Sequence, residues 1–171
     1  MQKLTGRIAA LNRFIPQSAD RSLPFFKVLQ NSSKFEWGEE QTKAFQDLKA
    51  YMENMIKMTS PDPKDPLLLY TSASQTAVSA VFVLERTVEG QLPVYFVSEA
   101  LSGSKLFYSE IEKITYAVVM SARKLRHYFE GHRIIVVTNQ PLHDLFHNRE
   151  ASDRISKWAS ELSEYVVDFE R

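Results

Sequence analysis

Cysteine is absent from the 171 residues, which excludes disulfide staples and cysteine-based zinc sites while saying little about compartment. Net charge is absent too: 21 basic side chains balance 21 acidic ones, so bulk electrostatics advertise neither a nucleic acid nor a membrane partner. No apolar run approaches the roughly 18 residues that span a bilayer. Residues 1–15 lack the signal-peptide order of charge, apolar run and small cleavage residues. What these absences leave is the expectation of a soluble intracellular protein, cytoplasmic or nuclear, with no membrane partner.

What is present suffices for a core. With 44 % apolar and 12 % aromatic residues, the chain can bury one domain plus a small accessory unit. The charge is unevenly spread. Residues 1–34 carry Lys3, Arg7, Arg13, Arg21, Lys27 and Lys34 against Asp20 alone, a net of +5. Such a leader either tracks phosphates or forms a solvated helix face.

Leu4, Ile8, Leu11 and Ile15 recur at helical spacing until Pro16 denies the next turn its amide. Leu23 to Leu29, interrupted by Pro24, predicts one short helix within residues 18–30. Gln41, Ala44, Phe45, Leu48, Tyr51, Met52 and Met55 trace another helix, with Glu39 and Glu40 in its first turn, fading near Met58. Pro61, Pro63 and Pro66 then forbid helix or central strand, which puts a Pro-rich linker at 60–66 between segment 1–59 and domain 67–171. Beyond it, Leu67 to Thr71, Val78 to Leu84 and Val94 to Val97 predict an antiparallel meander. Ile111, Ile114, Val118, Ala122, Leu125 and Phe129 predict one long helix from Ser109 to Phe129, stopped by Gly131. A strand at Ile134 to Val137, helices at 141–147 and 152–163, and a last strand at 165–169 complete an α/β mixed-sheet pattern.

In that order the motifs carry a resemblance. They include Leu4-Thr5-Gly6-Arg7-Ile8, Phe35-Glu36-Trp37 with Ala44-Phe45, Ala77-Val78-Ser79-Ala80-Val81, Pro93-Val94-Tyr95-Phe96-Val97-Ser98, Ala122-Arg123-Lys124-Leu125-Arg126, Thr138-Asn139-Gln140-Pro141-Leu142 and Lys157-Trp158-Ala159. Together the chain resembles the end of a reverse transcriptase thumb followed by an RNase H-like domain of a gypsy-class long-terminal-repeat retrotransposon, most like the plant Tat lineage. The resemblance implies a helical thumb-like segment over 1–59 and an RNase H-like fold over 67–171.

It also implies where acids belong. Active members place an Asp in the first strand, a Glu in the long helix and an Asp after the next strand, so that hard oxygens hold two divalent cations about 3.5–4 Å apart. Here those positions are Ser72 within Tyr70-Thr71-Ser72-Ala73-Ser74, Ile114 within Glu112-Lys113-Ile114-Thr115, and Asn139. A serine hydroxyl is a weak neutral ligand, isoleucine offers none, and asparagine keeps an acceptor without charge. The region expected to hold a fourth acid falls beyond Arg171. The expectation is therefore no catalytic residue, no metal and no cofactor.

Other groups offer substitutes for the missing acids. Glu112 lies about 200° round the helix from Ile114, whereas Glu110 shares its face more nearly and, with Asp144 or Asp168, offers one metal site or simply surface charge. His143 and His147 have chelating i, i+4 spacing but no metalloprotease motif beside them, and His127 and His132 flank the helix end. Arg123, Lys124, Arg126, His127, His132 and Arg133 form a basic cluster that either grips phosphates or is a solvated face. With Arg7 and Arg13, its four Arg and Lys residues are the candidate nucleic-acid contacts. Trp37 and Trp158 read as core anchors, Trp37 also fixing the start of its helix.

In the Tat-like lineage the resemblance implies a degenerate RNase H copy serving as a connection or tether domain. The leading expectation is thus a non-catalytic tether that contacts an RNA/DNA hybrid, another nucleic acid or a protein. The alternative reads Met1 as the start of a host-captured gene whose product binds a host or pathogen protein. Residual metal-dependent ribonuclease H activity is a minor third. Oligomeric state and host are left open.

Overall fold

Beyond Pro66 the backbone adopts the two-residue period that the sequence shows. The computed structural model describes residues 2–30, 36–148 and 152–171; Lys34 of the basic leader and Phe35 of the Phe35-Glu36-Trp37 motif lie outside them. Strands β1 (Leu67–Ala73), β2 (Ala77–Arg86) and β3 (Gly90–Ala100) form the antiparallel meander. Leu67, Leu69, Val78, Ala80, Phe82, Leu84 and Val97 alternate onto one buried face. Ser74 Oγ accepts from the amides of Thr76 and Ala77 and closes the first turn. Gly90, at φ +73, makes the second, where a side chain would be strained. Pro93 has no amide to give the ladder, and the register shifts beside it, between Phe82 and Val83.

Helix α4 (Glu110–Lys124) covers that face. Ser109 accepts from the Glu112 amide while the Glu112 carboxylate accepts from the Ser109 amide, a reciprocal cap. The expected single helix to Phe129 is broken: Leu125 leaves the helical region at φ −126, ψ 42, and α5 (Arg126–Gly131) restarts beyond it. The bend buries Leu125 and Phe129 and lets adjacent rings reach one target. Tyr128 stacks on Phe82 at 5.3 Å, and Phe129 meets it edge-on at 5.8 Å.

Strand β4 (Ile134–Val137) returns parallel to β1, and β5 (Val167–Glu170) lies parallel to β4, giving the order β3-β2-β1-β4-β5. Between them run α6 (Leu142–His147) and α7 (Asp153–Leu162). Helix α7 turns Ile155, Trp158 and Leu162 into the core, with Trp158 against Tyr116 and Tyr108.

The N-terminal helices have a smaller core of their own, built on Ile8, Ile15, Phe25 and Leu48 from α1 (Gln2–Ala10), α2 (Ser18–Gln30), α3 (Glu39–Glu53) and the intervening turns. Helix α2 runs through Pro24, longer than expected, because Ser22, Phe25 and Val28, before and after the proline, bury along one face and the Gln41 amide takes up the Pro24 carbonyl. Helix α3 stops at Glu53 rather than near Met58; Asn54 leaves helical geometry and its side chain donates to the Ala50 carbonyl. Trp37 does fix the start of α3, through a 2.8 Å bond to Thr42 and a stack on Phe25, but it is 40 % exposed and so is not a buried anchor.

Through α2 and the turn before it, this helical unit packs against the sheet face opposite α4. Ser18 Oγ lies 2.7 Å from Ser98 Oγ, which also accepts from the Ala19 amide. Asp20 accepts from Ser74 and Thr76 on the first hairpin, and the Thr59 amide donates to Pro93.

Candidate functional site

The three expected acid positions occupy related places. Tyr70 of β1 pairs with Val137 of β4, so Ser72 and Asn139 stand two residues further on, toward the C-terminal ends of neighbouring parallel strands. Such strand ends are where open α/β sheets present their chemistry. Ser72 and Asn139 are both exposed. Ile114 sits on α4, half-buried, and packs with Ala73 against the main core. Strand alternation turns Ser72 to the face away from α4, alongside Tyr70, whereas Thr71 turns inward with Leu69. The Thr71 hydroxyl is sealed from solvent and has no hydrogen-bond partner among the described residues.

The substitute carboxylates have other occupations. Glu112 caps α4 and pairs with Arg154 at 2.8 Å; the hydrogen bond from the Ser109 amide, foremost, holds its carboxyl below the ordinary value. Asp168 pairs with Arg133, and Asp144 lies 3.4 Å from His143. Rings of His143 and His147 stack at 4.4 Å, and His147 Nδ1 contacts the His143 carbonyl at 2.7 Å. His127 lies against Tyr128, and His132 Nδ1 contacts the Asp65 carbonyl. Among the described residues no three His, Asp or Glu side chains gather closely enough to hold a metal ion.

The basic cluster is matched pair by pair. Arg123 makes a bidentate bond to Glu161 at 2.7 and 2.8 Å, Arg126 pairs with Glu130 at 2.7 Å, and Arg133 with Asp168 at 2.6 Å. Lys124 reaches Glu99 at 3.2 Å and the Ser98 carbonyl at 3.0 Å. These pairs stand largely in solvent, where screening weakens them. Arg13 lies over Phe14 and Tyr95 at 5.0 and 5.2 Å. Arg7 is exposed on α1, and its side chain has no partner among the described residues.

Two polar groupings were not foreseen. Glu99 accepts from Lys105 at 2.8 Å and Tyr116 at 2.6 Å and pairs with Lys124. Burial pushes its carboxyl up, but the bonds from Lys105, Tyr116 and Lys124 outweigh burial and bring it down to about 2. The second grouping is a row of serines across the sheet: Ser72 faces Ser79, and Ser79 faces Ser98. No local sequence signal marks it, because it exists only once three strands are in register.

Comparisons with known proteins agree with this geometry. A family model described as the RNase H-like domain found in reverse transcriptase matches residues 37–136. The chain is 32 % identical over 162 residues to the retrovirus-related Pol polyprotein from transposon 297 of Drosophila melanogaster, covering 94 % of this chain and 15 % of that one. It is 27 % identical over 156 residues to the Transposon Tf2-3 polyprotein of Schizosaccharomyces pombe, covering 91 % and 11 %. It therefore corresponds to a small part of these relatives' length. Among solved structures, the foamy viral protease-reverse transcriptase in complex with double-stranded DNA shares the fold, with TM-score 0.76, 17 % identity and coverage of 99 % of this chain and 37 % of that one. The same protein in complex with an RNA/DNA hybrid gives TM-score 0.73 at 18 % identity, over 98 % and 24 %.

Proposed function

Because the chain belongs to the family of RNase H-like domains found in reverse transcriptase, we propose that it is a non-catalytic tether or connection domain from a retrotransposon polyprotein of the gypsy class, most like the plant Tat lineage. The observation that carries this reading is the side-chain chemistry at Ser72, Ile114 and Asn139. Two exposed neutral groups at the ends of β1 and β4, and an isoleucine packed against the core on α4, offer no carboxylate where a two-metal site needs three.

The domain's partner on this reading is nucleic acid, through phosphates. The foamy viral complexes with double-stranded DNA and with an RNA/DNA hybrid support that choice. Arg7 is ready to neutralise a phosphate directly, whereas Arg123, Arg126 and Arg133 must each exchange a carboxylate for one. The domain then holds the strand without cutting it.

A protein partner is the second reading, and one observation favours it. Phe107, 87 % exposed beside Leu106 in the turn before α4, presents an apolar knob of the kind that anchors protein interfaces.

A salt titration of binding to a labelled RNA/DNA hybrid separates the two. Affinity falling steeply with salt supports the nucleic-acid tether. Absence of binding at low salt overturns it and leaves the protein-interaction module.

A further inference from the structure

The serine row is only half used. Ser98 is engaged with Ser18 and the Ala19 amide of α2. The Ser72 and Ser79 hydroxyls have no hydrogen-bond partner among the described residues, although Ser79 is only 8 % exposed. Both line a cleft of about 300 Å³ between the sheet and the turn that precedes α2, where Pro16, Gln17, Tyr70, Val81 and Phe96 are among the other lining residues. The little of Ser79 that stays accessible includes its hydroxyl, which is not sealed as the Thr71 hydroxyl is. Here it opens on a cleft.

Charge narrows what can enter. None of the lining residues is ionisable except the Tyr70 phenol, which donates to Gln91. The cleft therefore supplies no counter-charge for a phosphate and no hard anionic ligand for a cation. It supplies two aromatic rings, a proline, two idle hydroxyls and a carboxamide. That set suits a flat, neutral group with donors and acceptors along one edge. A nucleobase has this chemistry. In a duplex the base faces are stacked and the pairing edge is occupied, so only an unpaired base can offer both.

We propose that this cleft binds one unpaired nucleobase, with Phe96 and Tyr70 supplying the apolar face and Ser72, Ser79 and Gln17 meeting its edge. The serine at the first expected acid position thereby contacts a base where an active relative would hold a metal. Gln17 is held at φ +51, which fixes its position at the cleft wall. This inference rests on the nucleic-acid reading above and extends it from phosphates to a base.

The test uses a single-stranded oligonucleotide that carries 2-aminopurine and a distant anisotropy dye, with the whole chain and with Ser79→Val and Ser72→Ala. Anisotropy reports binding by any route, and 2-aminopurine emission reports capture of the base. The expected result is emission quenched on binding, with the midpoint of quenching weakened about fivefold in each variant, the scale of one lost hydrogen bond. Ser72 is exposed, so its variant keeps the test valid even if Ser79→Val misfolds. Binding seen by anisotropy without any emission change, or with the same quenching in wild type and variants, overturns the base site and leaves the tether standing. No anisotropy change with the single strand overturns the base site, and no binding to the RNA/DNA hybrid either overturns the tether with it.

Discussion

Ser18 and Ser98, eighty residues apart, share a 2.7 Å hydrogen bond that ties the first turn of α2 to the third strand of the sheet. The Ala19 amide adds a second bond to the same oxygen, so Ser98 alone satisfies two groups of the incoming helix. Asp20 then grips Ser74 and Thr76 on the neighbouring hairpin. The N-terminal helices are thus held by polar bonds as well as by their small core.

Ser98→Ala removes the acceptor and leaves the Ala19 amide and Ser18 hydroxyl unpaired. The expected cost is about 1–3 kcal/mol, read as a lower denaturation midpoint. Hydrogen exchange in α2 should accelerate more than exchange in α4. Uniform acceleration across both helices would count against this attachment.

Thr71→Val should have the opposite sign. The Thr71 hydroxyl is sealed from solvent without a partner among the described residues, and valine keeps its shape while removing the unsatisfied oxygen. A gain of about 1 kcal/mol is expected by thermal or chemical denaturation. A clear loss of stability would mean that the hydroxyl has a partner after all.

Glu99 sets an acid limit. Its folded-state value of about 2 lies below the ordinary 4.5, so its contribution is fully present above 4.5 and is lost as pH falls toward 2. Stability measured between those pH values should decline with acid more steeply in the wild type than in Glu99→Gln. Parallel profiles would show that Lys105, Tyr116 and Lys124 do not hold the carboxylate in solution.

Restoring the acids tests what their absence does for the fold. Ile114 packs against the core, and the carboxylate of Asp20 already lies on the Ser72 face, bound to Ser74 two residues on. Ser72→Asp, Ile114→Glu and Asn139→Asp together should therefore lower the melting temperature of the metal-free protein, by an amount equivalent to about 2–4 kcal/mol. An unchanged or higher melting temperature would sink this explanation.

Much of the fold was legible because it rests on local periodicity. The change from a helical to a two-residue period at Leu67 marked the meander, and the run Ile134 to Val137 gave β4 to the residue. The break at Leu125 was not legible, since Leu125 and Phe129 continue the apolar stripe of α4 and only Phe82, on a distant strand, demands the bend. The basic cluster was visible as charge, yet its carboxylate partners come from α5, α7, β3 and β5 and appear only when these converge. Ser72 was legible as a missing acid. Its row with Ser79 and Ser98 required strand register, which no single segment encodes.

On the proposed reading, this RNase H-like domain holds nucleic acid without cutting it. The direct measurement is incubation of the purified chain with an RNA/DNA hybrid labelled in its RNA strand, in manganese, following strand length over time. The expected result is intact RNA at protein concentrations that saturate binding. RNA cleavage that follows the protein through purification and disappears on chelation would contradict the claim.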